Sequence, residues 1–332
     1  MSKIEVKGIA DSDYREGMFP VILECATPSA TLTETVNWIA ANQDAIRTRL
    51  SDCGALLLRG FPIVTAQDFD DVIASFQYET FTYEESLSNA VRVNRTPRVF
   101  TANEAPPSEG IFLHNEMAQT PIYPTRLFFF CEQAAATQGE TSLCPCDQLY
   151  DRLKTVDPDF VRDLEAKGVK YTNVMPNGDN PLSGQGRGWQ TTLGAKDRAG
   201  AEARLAELGY SWTWLEDGSV GATSKALPAI KHLDSGKSVF FNQLIAAYQG
   251  WGDVSHLGQK IICFGDGSDI TDAQMQTVIR EADALIYDVP WQNGDVALVD
   301  NYMAMHGRRP FTGTRKVLAS FATENGIPEA AE

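Results

Sequence analysis

The chain has 332 residues, of which 43% are hydrophobic and 22% are charged, a composition typical of a soluble globular protein with a sizeable core. The formal net charge of −16 at pH 7 argues against partners that are themselves negatively charged, such as nucleic acids and anionic membranes. No signal peptide or bilayer-spanning apolar run is visible, and the six cysteines are scattered. We therefore expect a cytoplasmic protein with reduced thiols.

The first half of the chain predicts helices around a short strand, followed by strands and two further helices. Apolar spacing and turn residues carry these predictions, and Thr65 is the expected N-cap of the second helix. Helices are expected over 31–52, 65–76, 145–153 and 158–168, and strands over 54–63, 98–103, 110–117 and 125–133. Residues 172–225 are rich in glycine, asparagine and tryptophan, so we expect an insertion that covers the core as a lid.

The last third predicts strands again. A strand is expected over 238–244 and a helix over 272–285, and residues 289–321 follow as strand, turn, strand, loop and strand. No repeat or linker divides the chain, so residues 1–332 are expected to form a single domain. The predicted class is mainly β within an α+β chain, and the strand spacing favours a jelly-roll sandwich over alternating βαβ units. No feature of the sequence indicates an oligomeric state.

Three residues suggest a metal site. His114 and Glu116 are two positions apart in a predicted strand, which would place both side chains on one face. Such a pair arises easily by chance in an acidic chain, but His306 follows an apolar run that predicts a buried strand and offers a third ligand. Arg315 then enters a strand after a glycine turn and can bind a carboxylate through two hydrogen bonds. Two histidines, a carboxylate and a nearby guanidinium suit Fe(II) with a chelating oxo-acid.

The sequence blocks around these residues resemble a known superfamily. HNEM, QGET and DNYMAMHGRRPFTGTR are similar to the taurine dioxygenase / clavaminate synthase-like Fe(II)- and 2-oxoglutarate-dependent oxygenases, and most similar to the plant-type clavaminate synthase-like proteins. The resemblance covers nearly the whole chain, from GALLLRGFP to RKVLASF. It implies a double-stranded β-helix core flanked by helices, with Fe(II), 2-oxoglutarate and O₂ as cofactor and cosubstrates.

The resemblance also implies roles for individual residues. His114, Glu116 and His306 match the iron ligands, and Thr141 and Arg315 match the residues that contact the distal carboxylate of 2-oxoglutarate. The chain departs from the pattern in two places: QGET replaces the usual GGET, and Ala319 stands where some members have a second arginine. We expect Arg315 to carry the carboxylate with help from Thr141.

Glu116 bears on the reaction. Members of the superfamily that halogenate lack this carboxylate, so its presence implies hydroxylation of an unactivated C–H bond, with succinate and CO₂ as co-products. The same oxidant can instead desaturate the substrate or close a ring in natural-product biosynthesis. Two other classes remain open at this point: a jelly-roll protein that binds metal without turnover, and a structural or carbohydrate-binding sandwich.

The substrate is expected to be a small polar molecule, such as an amino acid or a related carboxylate. Six residues in blocks that resemble the family are candidates for contacting it: Arg98, Asn103, Arg187, Trp189, Asn242 and Gln243. Each of them has a structural alternative. Arg187, for example, can brace the lid, and Asn242 can satisfy buried backbone groups.

Overall fold

The computed structural model describes residues 4–10, 15, 17–82, 86–88, 90–103, 105–180, 186–324 and 326. The helices in these ranges are α1 (Leu32–Ala41), α2 (Gln43–Cys53), α3 (Ala66–Ser75), α4 (Cys146–Val156), α5 (Pro158–Lys167), α6 (Trp189–Leu193), α7 (Arg198–Glu207), α8 (Leu244–Gly250) and α9 (Asp272–Asp283). The first ten strands are β1 (Val6–Lys7), β2 (Val21–Cys25), β3 (Ala55–Arg59), β4 (Glu79–Phe81), β5 (Phe100–Thr101), β6 (Ile111–His114), β7 (Arg126–Gln133), β8 (Thr137–Gln138), β9 (Thr141–Pro145) and β10 (Val169–Met175). The others are β11 (Ser211–Trp214), β12 (Val220–Thr223), β13 (Ile230–His232), β14 (Ser238–Phe240), β15 (Ile262–Phe264), β16 (Tyr287–Val289), β17 (Val296–Asp300), β18 (Ala304–Arg308), β19 (Phe311–Thr312) and β20 (Lys316–Thr323).

The largest sheet is buried on both faces. It has eight strands in the order β1-β2-β3-β17-β7-β20-β4, with β5 also paired to β20. Alternate residues of its central strands point to opposite faces, so Leu57 and Phe129 join one apolar cluster while Leu56 and Phe128 join another. The second cluster includes Phe69 of α3, so the N-terminal helices cover that face.

A second sheet packs on the other face. Its four strands run in the order β16-β9-β18-β6. Leu143 of β9 and Met305 of β18 lie in the same apolar cluster as Leu57 and Phe129, so the two sheets share one core. This arrangement confirms the predicted jelly-roll sandwich within an α+β chain.

The N-terminal helices begin as predicted, but the first is divided. Thr31 and Thr65 each form a capping box at the start of α1 and α3. The single helix expected over 31–52 is wrong, because the chain breaks at Asn42 between α1 and α2. The Asn42 side chain donates to the carbonyl oxygen of Trp38 at 2.7 Å, a local hydrogen bond that competes with the helical pattern.

The insertion has a small core of its own. Residues Arg198–Glu207 form α7, and β10 pairs with both β12 and β15. Met175, Leu193, Leu205 and Val220 belong to a third apolar cluster. Residues 181–185 of the expected lid lie outside the described ranges.

Across the described ranges, every helix is too short or too polar to traverse a lipid bilayer.

Candidate active site

Strand register brings the three metal-site residues together. Strand β18 lies between β9 and β6, and His306 pairs directly with His114. The strand expected over 110–117 is wrong in its length, because β6 ends at His114 and Glu116 lies in the following turn. The side chain of Asn301 holds that turn: its oxygen accepts from the Glu116 amide at 2.8 Å, and its nitrogen donates to the Glu116 carbonyl at 3.0 Å.

The three side chains converge on one point. Each offers one ligand atom, and these atoms all lie within 4.8 Å of one another. Oε2 of Glu116 lies 3.4 Å from Nε2 of His306 and 3.9 Å from Nε2 of His114. Nδ1 of His114 is 2.8 Å from the carbonyl oxygen of Phe112, which can only accept a hydrogen bond, so the proton sits on Nδ1. Nε2 of His114 is then free to bind a metal.

The electrostatics of the cluster favour a cation. Burial and the neighbouring His306 lower the pKa of His114 to about 4, so its imidazole is neutral at pH 7. Burial alone would raise the pKa of Glu116, but Arg92, His306 and His114 lower it to about 2. Nη2 of Arg92 lies 3.3 Å from Oε2 of Glu116. Two imidazoles and one carboxylate fit Fe(II) and leave further coordination positions open.

A guanidinium lies in the same cavity. Arg315 donates to the carbonyl oxygen of Gly139 at 2.7 Å and to Oγ1 of Thr141 at 3.3 Å. No carboxylate of the described chain lies within ion-pair distance of it, and burial together with Arg308 lowers the pKa of Arg315 to about 10. The site therefore fits an incoming anion.

The QGET segment is shaped for this contact. Gly139 has a φ of +76°, and a Cβ there would lie 3.1 Å from Cδ of Arg315 and 2.9 Å from Cβ of Phe311. A side chain at this position would displace the guanidinium. On the other side, Nε1 of Trp291 donates to Oγ1 of Thr141 at 3.1 Å.

One cavity of about 140 Å³ is lined by all five residues of the predicted metal and cosubstrate site, namely His114, Glu116, Thr141, His306 and Arg315. Its walls carry three arginines, Arg92, Arg308 and Arg315, but Glu116 is the single carboxylate among the described lining residues. The side chain of Arg308 donates to four backbone carbonyls, including those of Asn103 and Glu109. The cavity is thus positively charged although the chain as a whole is acidic.

Two of the six residues expected to contact a substrate reach this cavity. Asn103 and Gln243 line it. Gln243 is held by a hydrogen bond from its side-chain nitrogen to the carbonyl of Asn115 at 3.1 Å. The other four, Arg98, Arg187, Trp189 and Asn242, are not among the described residues that line the cavity.

These four residues have structural partners instead. Arg98 pairs with the buried Asp70, and Asn242 exchanges hydrogen bonds with Asn115. Nη1 of Arg187 donates to the carbonyls of Ser86 at 2.8 Å and Ser88 at 3.2 Å, and Nη2 donates to the carbonyl of Thr191 at 3.0 Å. Trp189 donates to the carbonyl of Gly218 at 3.1 Å and packs edge-on against Trp214.

Sequence reasoning missed several residues at the site. Arg92 precedes Glu116 by 24 positions, and no local spacing connects them. Its guanidinium lies over the rings of Phe100 and Phe321. Trp291 and Gln119 lie within VPWQNGD and HNEMAQ, two further blocks between GALLLRGFP and RKVLASF over which the resemblance extends, so those blocks were the available signal.

Comparison with known proteins finds relatives over most of the chain. A family model described as "Taurine catabolism dioxygenase TauD, TfdA family" matches residues 22–320. The "Clavaminate synthase-like protein At3g21360" of Arabidopsis thaliana is 37% identical over 313 residues, which cover 92% of this chain and 94% of that protein. The "Dapdiamide synthesis protein DdaC" of Enterobacter agglomerans is 27% identical over 281 residues, which cover 81% of this chain and 82% of that protein.

A solved structure supports the fold. "PvcB, an Fe, alpha-ketoglutarate dependent oxygenase from an isonitrile synthetic pathway" superposes with a TM-score of 0.54 at 14% sequence identity. The superposition covers 97% of this chain and 92% of that chain.

Proposed function

The chain belongs to the taurine catabolism dioxygenase TauD, TfdA family, and we propose that it hydroxylates an unactivated C–H bond of a small carboxylate, such as an amino acid or a related acid. It is an Fe(II)- and 2-oxoglutarate-dependent dioxygenase that uses O₂. The observation that carries the proposal is the convergence of His114, Glu116 and His306 in the cavity that also holds Arg315.

In this proposal the three converging side chains hold the iron. Nε2 of each histidine and Oε2 of Glu116 are the ligand atoms, and the Phe112 carbonyl keeps His114 in the tautomer that binds. When bound there, iron with 2-oxoglutarate and O₂ would supply the oxidant, with succinate and CO₂ as co-products. Asn301 and Arg92 keep Glu116 in place.

Arg315 and Thr141 are proposed to bind the distal carboxylate of 2-oxoglutarate. Oγ1 of Thr141 already accepts hydrogen bonds from Trp291 at 3.1 Å and from Arg315 at 3.3 Å. The hydroxyl proton is therefore left to donate to a third group, and a carboxylate next to Arg315 is a suitable acceptor. The carboxylate would then accept hydrogen bonds from Thr141 and Arg315 and lie next to the positive charge of Arg315.

The charge of the cavity supports a substrate that carries a carboxylate. Three arginines and one glutamate line it, and the charges of Fe(II) and 2-oxoglutarate offset each other, so positive charge remains for a second anion. Asn103 and Gln243 add uncharged polar groups to the same wall.

We also propose that residues 172–225 act as a lid on a single domain. The cytoplasmic location expected from the sequence stays a prediction.

An anaerobic titration of the Fe(II)-loaded protein with 2-oxoglutarate tests the proposal. We expect the weak visible charge-transfer band of the chelate, and the Arg315→Ala variant should need more 2-oxoglutarate to develop it. A panel of amino acids and small acids, scored by succinate release, then identifies the substrate. Iron binding with no band at any 2-oxoglutarate concentration would contradict the proposed site.

A further inference from the structure

A second, smaller chamber lies beside the cavity. Gln119, Asn173 and Trp251 line both spaces, and we call these three residues the neck. The second chamber measures about 20 Å³, against about 140 Å³ for the cavity. A space of that size holds about one water-sized group, so it admits the terminal methyl group of a ligand.

The second chamber has an apolar side, which is built by the insertion. Leu193 of α6, Leu205 of α7 and Met175 of β10 line it together with Leu208. All four belong to the third apolar cluster, so their positions are supported by packing within the insertion. None of the described residues that line the chamber carries a charge. An aliphatic end of a ligand would be removed from water there.

The neck, in contrast, offers unused hydrogen-bonding capacity. The side-chain oxygen of Gln119 is buried and has no hydrogen-bond partner in the described part of the chain. A buried polar atom without a partner is costly unless a ligand supplies one. Asn173 presents a second carboxamide to both spaces.

A neutral polar group suits the neck better than an ammonium. Among the described residues that line the two spaces, Glu116 is the single carboxylate, and it already pairs with Arg92 at 3.3 Å. An ammonium at the neck would lose its hydration without gaining a counter-charge. A neutral amide can donate to one carboxamide and accept from another.

We propose that the neck and the second chamber select a carboxylic acid that carries a neutral amide and then a short aliphatic end, the chemistry of an N-acylated amino acid. The carboxylate lies among the arginines of the cavity, the amide bonds to Gln119 and Asn173, and the aliphatic end lies between Leu193 and Leu205. This inference rests on the proposed function, because it places the substrate in the same cavity as 2-oxoglutarate.

Binding of three matched compounds tests the inference. N-butyrylglycine carries the amide, heptanoate replaces the amide by two methylenes at equal chain length, and 2-aminoheptanoate adds an ammonium. Dissociation constants are measured by calorimetry on the full-length protein loaded with Zn(II) and 2-oxoglutarate, because Zn(II) is redox-inert and allows no turnover. We expect N-butyrylglycine to bind about tenfold more tightly than heptanoate, and 2-aminoheptanoate to bind most weakly.

Two kinds of variant identify the residues that determine the preference among these compounds. Gln119→Leu should abolish the preference for N-butyrylglycine over heptanoate, whereas Gln249→Leu, an exposed position on α8, should keep it. Leu193→Phe and Leu208→Phe each reduce the volume of the second chamber. Each should therefore weaken the binding of N-butyrylglycine about tenfold relative to that of N-acetylglycine. Binding of 2-oxoglutarate by each variant shows that it is folded.

The outcomes separate this inference from the proposed function. Equal affinities for N-butyrylglycine and heptanoate, or a preference that survives Gln119→Leu, would overturn the inference while leaving the oxygenase intact. So would the binding of 2-oxoglutarate without binding of any of the three compounds. If the Zn(II)-loaded protein fails to bind 2-oxoglutarate, the proposed function itself is wrong.

Discussion

The site has two walls, one in the cavity and one in the second chamber, that the chain builds by different means. One, which we call the metal wall, consists of His114, Glu116 and His306 with Thr141 and Arg315. Main-chain pairing of β6, β18 and β9 sets the positions of His114, His306 and Thr141. The other, the insertion wall, lines the second chamber and consists of Met175, Leu193, Leu205 and Leu208, whose positions depend on packing within one small apolar cluster.

The two walls therefore differ in role, one serving the reaction and the other the selection of the substrate. A register shift of one residue would turn every side chain of β18 to the opposite face, so the metal wall cannot adjust gradually. Apolar side chains of similar volume can replace one another in the insertion wall at modest cost. We infer that the sheet holds the reaction constant while the insertion adapts the protein to its substrate.

The largest expected effect comes from the metal wall. His306→Ala removes one of the three proposed ligands, so metal binding and turnover should fall below detection. Metal content after dialysis and succinate release measure the two losses. His256→Ala is the matched control, because His256 is exposed and does not line the cavity among its described residues. A His306→Ala variant that still bound stoichiometric iron would show that His306 is not a metal ligand.

Arg315→Ala should give the next largest effect. The variant loses the charged donor of the proposed carboxylate site, and hydrogen bonds to charged groups contribute about 1.5–3 kcal/mol, so half-saturation by 2-oxoglutarate should rise roughly tenfold to hundredfold. Metal affinity should be unchanged. Arg309→Ala serves as the control, because Arg309 pairs with Asp288 outside the cavity lining. An unaltered 2-oxoglutarate requirement in Arg315→Ala would make Arg315 structural.

The two walls also differ in how far sequence reasoning reached them. The metal-wall residues lie in strands or next to them, where H-x-E, QGET and HGRRPFTGTR are local patterns, so the family resemblance could assign them one by one. The length of β6 was wrong because Asn301, distant in sequence, holds Glu116 in a turn.

The insertion wall and its neck were not predictable in the same way. Gln119, Asn173 and Trp251 come from three separate segments, and no spacing relates them. Arg98 and Arg187 were predicted to contact the substrate because they are arginines in blocks that resemble the family, and an arginine would suit an anionic group. Their partners, Asp70 and the carbonyls around Ser86, become neighbours only through tertiary packing.

A variant of the insertion tests whether the walls are independent. Arg187→Met leaves the carbonyls of Ser86, Ser88 and Thr191 without this donor. Amide hydrogen exchange over 186–224 should accelerate by about tenfold, since buried carbonyls that lose a partner cost about 1–3 kcal/mol. Metal affinity should stay within about twofold. Arg198→Met, which removes an exposed arginine over Trp214, is the control in the same insertion. A large loss of metal affinity in Arg187→Met would show that the walls are coupled.

The substitution with the smallest expected effect tests a single hydrogen bond of the metal wall. Trp291→Phe removes the donor that lies 3.1 Å from Oγ1 of Thr141 but keeps an aromatic ring in place. Without that donor, the Thr141 hydroxyl is oriented by Arg315 alone, at 3.3 Å, and becomes free to rotate away from the carboxylate. One neutral hydrogen bond contributes about 0.5–1.5 kcal/mol, so half-saturation by 2-oxoglutarate should rise about twofold to tenfold, with metal affinity unchanged. Thr141→Val should raise it at least as much, and adding Trp291→Phe to Thr141→Val should change nothing further, because both act through one hydroxyl. Additive effects of the two substitutions would mean that Trp291 contacts the cosubstrate by another route.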